Sequence, residues 1–407
     1  MARKSSAVEK TDKQDKSNEQ DFSIDLIRAI NKEQGTRVAY NLACDESPTH
    51  IKRWISTGCK QLDYIVSNRR NGGLPEGRII EIFGPPSIGK SHIALQIARS
   101  TQQMGGIVVY IDTENATSVE NLGLLGVDIT KRFVYVDTHC TEEVLSIAEA
   151  TIVKAKAMNK DVPITIIWDS VAATSPKAEL DGDYDANSIG LQARAISKGM
   201  RKITGIIANQ NVLFVCLNQT RTKIGVMYGD PMTTSGGTAI PYHASVRIKL
   251  GAGSPILNKA KETIGINVSA KTIKNKVSAP FRTCNFEIHF GKGIIEDEQV
   301  FDILRQHGAE TLATGETVEV GGDAAWKQIL VTNSRNGEVI LDKKFHKAEF
   351  GSVWRDPVYS RYIDDLLDKC MVKQIADASS TDFDENSYEE VRAVAMEIQD
   401  DLGPEDY

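Results

Sequence analysis

Gly84-Pro85-Pro86-Ser87-Ile88-Gly89-Lys90-Ser91 fits G-x-x-x-x-G-K-[ST], the pattern of a phosphate-binding loop. Four fixed positions in eight make the match specific. Its flanks strengthen it. Arg78-Ile79-Ile80-Glu81-Ile82-Phe83 is rich in β-branched and aromatic residues and predicts a strand. His92–Arg99 carries apolar residues at helical spacing. A glycine-rich turn from strand to helix aims successive backbone N–H groups at one point, where the helix N-terminus adds partial positive charge. Gly84 and Gly89 permit a backbone geometry and a close approach that a Cβ would block. Lys90 can reach the β- and γ-phosphates, and the Ser91 hydroxyl can ligate Mg²⁺. A plain turn before an ordinary helix is the alternative, and the paired strand and helix argue against it. The stretch predicts a nucleoside triphosphate site.

Working outward, residues 51–295 alternate apolar strands with helical segments, which predicts an α/β fold with a mostly parallel, twisted sheet and helices on both faces. Strands are expected at Gly106–Asp112, Phe133–Val136, Ile164–Asp169 and Asn211–Asn218. A helix is expected over Thr141–Met158 with Thr141 as its N-cap. Pro176–Gly190 and Thr220–Gly237 are long loops, and loops of that length in a compact domain are usually functional or mobile.

Three polar residues end strands in this core. Asp169 closes Ile166-Ile167-Trp168-Asp169 and can hold Mg²⁺ through water, or simply cap the next helix. Glu114 comes after Tyr110-Ile111-Asp112-Thr113, at the mouth of the sheet where ligands bind such folds; it can activate water, although the residues alone favour a solvated loop acid. Gln219 ends Val215-Cys216-Leu217-Asn218 and can hydrogen-bond a γ-phosphate and report it to the next loop.

The flanks differ in character. Residues 1–20 are polar and charged and read as a disordered arm. Within 21–50, Phe22–Ile30 begins an amphipathic helix that stops near Gly35. Thr36–Leu42 then alternates, with Val38, Tyr40 and Leu42 on one face, and reads as a strand. Neither element can bury its apolar face alone, so this segment must pack on the core or on a neighbouring subunit. Residues 296–376 read as a small α+β C-terminal domain. Its expected core is Trp326, Phe345, Phe350, Trp354, Tyr359 and Tyr362, with a helix over Asp356–Lys369.

Composition bounds the partners. The 407 residues are 41% hydrophobic and 25% charged, as in soluble globular proteins. No apolar run approaches the ~20 residues of a membrane span. No secretory h-region is present near Met1, so the cytoplasm is expected. The six cysteines are scattered, without a C-x-x-C pair, which gives no zinc site and suits a reducing compartment; Cys216 is expected in the core. The net charge is −7, yet residues 377–407 hold eleven acids against Arg392 alone. Without that acidic tail the body is mildly basic, compatible with a DNA-binding surface.

Further segments resemble the RecA recombinases. They include Trp168-Asp169-Ser170-Val171-Ala172-Ala173, Ser175–Glu179, Gly190-Leu191, Met200-Arg201-Lys202, Asn218-Gln219, Lys223–Met227, Gly236-Gly237, Ala244–Arg247 and Lys274–Phe281, with Ser56-Thr57-Gly58 and Gly73-Leu74-Pro75 upstream. Order and spacing hold over about Ile51–Ile295. Outside that span only the layout is similar. Phe350–Tyr362 looks more like the C-terminal region of UvsX-type phage recombinases, which suggests a phage-borne protein.

The resemblance implies a RecA-type P-loop ATPase core with ATP and Mg²⁺ as cofactors. Gly84, Pro85, Pro86, Ser87, Ile88, Gly89, Lys90, Ser91 and Asp169 would hold the nucleotide, with Ser91 and Asp169 on the metal. Glu114 would be the water-activating base and Gln219 the γ-phosphate sensor. Lys274 and Lys276 would enter the ATP site of the adjacent subunit. The two loops, at about 179–190 and 220–237, would bind DNA. The first contributes Ile189, Gly190, Arg194, Ser197 and Arg201. The second contributes Arg221, Thr222, Lys223, Ile224, Gly225, Gly236 and Gly237. Such contacts grip phosphates without reading sequence.

The implied activity is a DNA-dependent ATPase that forms a helical homo-oligomeric filament on single-stranded DNA. It would capture double-stranded DNA and exchange strands in recombination and repair, with single-strand-binding and loader proteins as further partners. A hexameric motor on the same core, RadA-like or a replicative helicase, is one alternative; a non-catalytic ATP- and DNA-binding filament protein is another. Three features depart from the resemblance. The family's adenine-stacking Tyr aligns with Asn121, its Lys-Phe pair after the second loop aligns with Pro241-Tyr242, and Arg69–Asn71 is a basic insertion.

Overall fold

The computed structural model describes residues 22–42, 47–183, 190–222 and 232–373. The expected disordered arm, the acidic tail and Cys44 lie outside those residues. The chain divides into two units at His50/Ile51. In the first, residues 22–34 form helix α1, which ends at Gly35 with φ +64°. The Asn31 side chain then binds the backbone of Val38 and Ala39. Residues 37–41 carry no ladder partner among the described residues. Alternation in Thr36–Leu42 supplies a face, but a strand also needs an edge to pair with.

The second unit opens with β1 (Trp54–Ile55), α2 (Lys60–Ser67) and β2 (Leu74–Pro75). It continues through β3 (Ile79–Gly84), α3 (Lys90–Gln103), β4 (Ile107–Asp112), α4 (Val119–Leu124), β5 (Phe133–Asp137), α5 (Thr141–Met158), β6 (Ile164–Asp169), α6 (Lys177–Leu180), α7 (Leu191–Asn209) and β7 (Val212–Thr222). Next come β8 (Met232–Thr234), α8 (Ala239–His243), β9 (Val246–Leu257), β10 (Thr263–Asn275), β11 (Thr283–His289) and β12 (Gly293–Ile295). The C-terminal part is α9 (Asp297–His307), β13 (Glu310–Thr311), β14 (Glu316–Gly322), β15 (Lys327–Asn333), β16 (Val339–Phe345), α10 (Phe350–Arg355) and α11 (Pro357–Met371).

The main sheet runs β12-β11-β10-β9-β3-β7-β6-β4-β5, with β8 on β7. From β9 to β5 neighbours are parallel; β10, β11 and β12 add an antiparallel edge. The buried strands β3 and β6 are nearly continuous apolar runs because both faces are covered. Val144, Ile196, Met200 and Ile203 of α5 and α7 cover one face. Ile93 and Ile97 of α3 and Leu62 of α2 cover the other, and that core continues without a break into Phe301, Phe345, Phe350 and Leu366. Glu296 strengthens the join: its buried carboxylate accepts from the N–H groups of Lys60 (2.7 Å) and Gln61 (3.0 Å), capping α2 from a distant part of the chain.

Two expectations are corrected here. Trp326 is 48% exposed and stacks on His346 instead of joining the aromatic core, where Phe301 takes part with Phe345 and Phe350. Helix α5 begins one residue earlier than a Thr141 cap requires: Cys140 is the N-cap, and the Thr141 hydroxyl is buried without a partner. Asp356 caps α11 by accepting from Val358 N–H, with Pro357 at the first helical position. Among the described residues no helix is long and apolar enough to cross a membrane.

Candidate nucleotide site and the loops it leads to

The phosphate loop joins the end of β3 to the start of α3, as the motif requires. Gly89, the N-cap of α3, has φ +95°, and a Cβ there would collide with Ile288 Cδ1 of β11. A Cβ on Gly84 would sit 2.7 Å from the Leu250 carbonyl oxygen. Glycine at both ends therefore lets the loop seat closely against β9 and β11. Lys90 is buried, and its ammonium donates to the carbonyls of Gly84 (3.2 Å) and Pro85 (2.7 Å), so the charge is held over the loop. Burial lowers its pKa, opposed by the negative charges of Asp169 and Glu114.

Strand order brings the acids to this loop. β7, β6 and β4 are neighbours, with Gly84 level with Gln219 and Asp112 level with Asp169. Asp169 is buried and accepts from Tyr110 OH (2.5 Å) and from the Ser91 hydroxyl; burial raises its pKa, against those two hydrogen bonds. Glu114 Oε1 accepts from Ser170 Oγ and from Gln219 Nε2 at 3.2 Å. The turn carrying Glu114 is fixed from behind. Thr113 and Ser170 exchange hydrogen bonds of 2.8 Å in both directions, and Thr113 N–H donates to the Asp169 carbonyl at 2.7 Å. Asp112 accepts from Glu114 N–H at 3.0 Å.

This donor set fits a triphosphate with Mg²⁺. It offers a glycine cradle at a helix start, a buried ammonium, a hydroxyl and one buried carboxylate. Among the described residues no cluster of three or more His, Cys, Asp or Glu could hold a metal by itself.

Lys274 and Lys276 are not brought to this site in their own chain. Lys274 pairs with Arg247, which pairs with Glu81. It therefore lies two strands across from β3 and about 10 Å short of the loop along the strand direction. Its ammonium donates to the carbonyls of Pro241 and Tyr242, each at 2.8 Å. Burial, then the neighbouring charges of Lys276 and Arg247, lowers its pKa. Tyr242 is 75% exposed beside it.

The loop stems meet on α7. Gly190 caps that helix with φ +76°, and Arg194, Ser197 and Arg201 come after it at one-face spacing, with Arg201 donating to Ser197 Oγ at 2.9 Å. Thr220 and Arg221 pair with Thr234 and Thr233 across β7 and β8. A Cβ on Gly237 would lie 2.9 Å from Ala193 Cβ, so the second stem packs against the first turn of α7. Ile189, Lys223, Ile224 and Gly225 lie outside the described residues; Thr222 is the last residue of β7.

The RecA N-terminal domain family matches residues 23–295, about two thirds of the chain. The chain belongs to the RecA family. Protein RecA of Geobacter sulfurreducens is 37% identical over 306 residues, 75% of this chain and 87% of that one. Protein RecA of Wolinella succinogenes is 41% identical over 282 residues, 69% and 77% of the two chains. Protein RecA of Ruminococcus albus is 44% identical over 248 residues, 61% and 60%. A general role as an ATP-dependent DNA recombinase comes with RecA-family membership.

Four residues that shape the RecA-family site, Tyr110, Ser170, Asn218 and Arg247, lie in segments quoted above, but their sequence pattern gives them no role at the site. Ser170 and Tyr110 orient Glu114 and Asp169. Asn218, fully buried, donates to Glu81 Oε1 and to the Ser235 carbonyl, each at 3.0 Å, and so ties β3 to the end of the second loop. Arg247 donates to Glu81 Oε2 at 2.5 Å. A tyrosine inside the apolar strand Ile107–Asp112 was the available signal, because a buried hydroxyl requires a partner.

Proposed function

We propose that this chain is a DNA-dependent ATPase that assembles as a helical filament on single-stranded DNA and exchanges homologous strands. One observation carries the reading. Gln219 touches Glu114 at 3.2 Å and stands three residues before the end of β7, whose strand leads directly into the second loop. A side chain that trades a carboxylate partner for a phosphate oxygen there would pull on the segment that holds DNA.

In this reading the backbone N–H groups of Gly84–Ser91 and the Lys90 ammonium hold the β- and γ-phosphates. Ser91 and Asp169 would hold Mg²⁺, which when bound neutralises charge on the phosphate oxygens. Glu114, fixed by Ser170, takes a proton from the attacking water. Lys274, whose ammonium lies on the Pro241 and Tyr242 carbonyls, and Lys276 serve a neighbour's loop, supplying positive charge against the negative charge on the transferred phosphoryl group. The triphosphate then joins protomers, and hydrolysis loosens both the joint and the grip on DNA. Arg194, Arg201 and Arg221, with the backbone around Gly190 and Gly236-Gly237, contact the phosphate backbone and leave base edges free to test a duplex.

Electron microscopy with single-stranded DNA and a non-hydrolysable ATP analogue tests this reading. Helical filaments that require both ligands are expected. Closed six-membered rings would replace it with a motor.

A further inference from the structure

A second recess lies on the far part of α3, away from the phosphate loop. Its volume is about 540 Å³, and it is bounded by the β1 end, the insertion at Arg69–Gly72, one face of α3 and the β11–β12 turn. That volume suits a small organic ligand and is large for a bare inorganic ion.

Its floor is Gln96. This residue is 8% exposed, and neither atom of its amide is hydrogen-bonded to any described residue. Gly58 faces the amide oxygen and Gly293 the amide nitrogen: Cβ atoms built there would lie 3.2 Å and 3.1 Å away. The amide reaches solvent only through the recess and has no protein partner there, so a polar group that enters can take up a donor and an acceptor at once.

The rim is cationic. Arg99, one helical turn beyond Gln96, and Lys292 make no ion pair among the described residues, and Arg69 lies over the Trp54 ring at 4.6 Å without a carboxylate partner. The other cations of the recess are committed. Lys60 binds Asp364 at 2.6 Å, and Arg70 binds Asp365 and Asp368. Asp63 also faces the recess, but its carboxylate is held by Ser56 Oγ (2.5 Å), Thr57 N–H (2.8 Å) and Thr57 Oγ1 (2.7 Å).

We infer that this recess binds a nucleoside phosphate, with Arg69, Arg99 and Lys292 on the phosphate oxygens and the Gln96 amide on the edge of the base. Arginine forks suit phosphate oxygens, and an amide matches the paired donor and acceptor of a base edge. The source is either a free nucleotide or a nucleotide unit of a DNA strand. The inference does not rest on the assignment of the phosphate loop. It gives the Arg69–Asn71 insertion a task, and it puts a ligand on the same helix that begins with Lys90 and Ser91.

Equilibrium dialysis of the full chain with ADP, and separately with a short oligothymidylate, tests it, comparing wild type with the Arg99→Glu/Lys292→Glu double variant and with Gln96→Leu. Loss of a second, weaker ADP site in both variants, with affinity reduced roughly tenfold or more, supports a free nucleotide. A similar loss for the oligonucleotide alone supports a DNA strand as the source. In either case ATP turnover without DNA stays at the wild-type level, which shows that the variants fold. One ADP per chain in wild type together with unchanged oligonucleotide affinity in every variant overturns the inference.

Discussion

Gly89→Ala tests how the phosphate loop is held. The residue has φ +95°, and its would-be Cβ overlaps Ile288 Cδ1, a side chain only 2% exposed. An alanine in that left-handed region costs roughly 1–2 kcal/mol. Forcing a methyl into packed surroundings adds about 1–3 kcal/mol. Gly89→Ala should therefore lose about 2–5 kcal/mol of stability and displace the N–H groups of the loop. The two terms can be separated. Ile288→Val removes the overlapping Cδ1 and by itself costs only about 0.5–1.5 kcal/mol. If the overlap matters, the double variant is more stable than the sum of the single changes by about 1–3 kcal/mol, and it recovers part of the ADP affinity. Urea denaturation and ADP titration of the four proteins read both quantities. Strict additivity would refute the claim that the loop is braced against β11.

Other outcomes rest on the same geometry. Glu114→Gln keeps an acceptor for Ser170 and Gln219 but cannot take a proton, so nucleotide and DNA binding should persist while ATP turnover falls by about 10²–10⁴; turnover within a factor of about two of wild type removes Glu114 from the chemistry. Burial pushes the Asp63 pKa from 3.8 up to about 7, against its three hydrogen-bond donors. A raised carboxyl favours folding most below the unfolded value, and that contribution is lost as pH rises through the folded value. Between about pH 4 and 7 wild type should thus lose up to ~4 kcal/mol that Asp63→Asn does not, read as a steeper fall in Tm; parallel Tm profiles would contradict this. Phe350→Ala should cost about 3–5 kcal/mol, because the ring is fully buried where the sheet core runs into the C-terminal segment. Trp326→Ala should cost far less, its ring being half exposed, and equal losses in denaturation would contradict the packing.

The phosphate loop was legible because its determinants are local: eight consecutive residues between a strand and a helix. The acids around it were legible only as strand ends. That Glu114 meets Gln219 and Ser170 depends on the order β7-β6-β4, which no local pattern encodes. The antiparallel edge β10–β12 was not read at all, yet it decides where Lys274 stands. Burial of single aromatics was equally hidden: Trp326 and Phe350 look alike in sequence, and only tertiary packing separates them, with Phe350 at the start of α10 against Phe301 and Phe345 and Trp326 just before β15 against His346. Thr36–Leu42 shows a related limit: its alternation marks a face, yet residues 37–41 pair with no strand among the described residues.

The proposed nucleotide site takes Lys90 from one protomer and Lys274 from its neighbour. Lys90→Ala and Lys274→Ala, each alone, should abolish DNA-stimulated ATP hydrolysis. Mixed in equal amounts, they should recover about a quarter of the wild-type rate, the share of head-to-tail interfaces that draw both intact halves in a random mixture. A mixture as inactive as either parent would contradict the account.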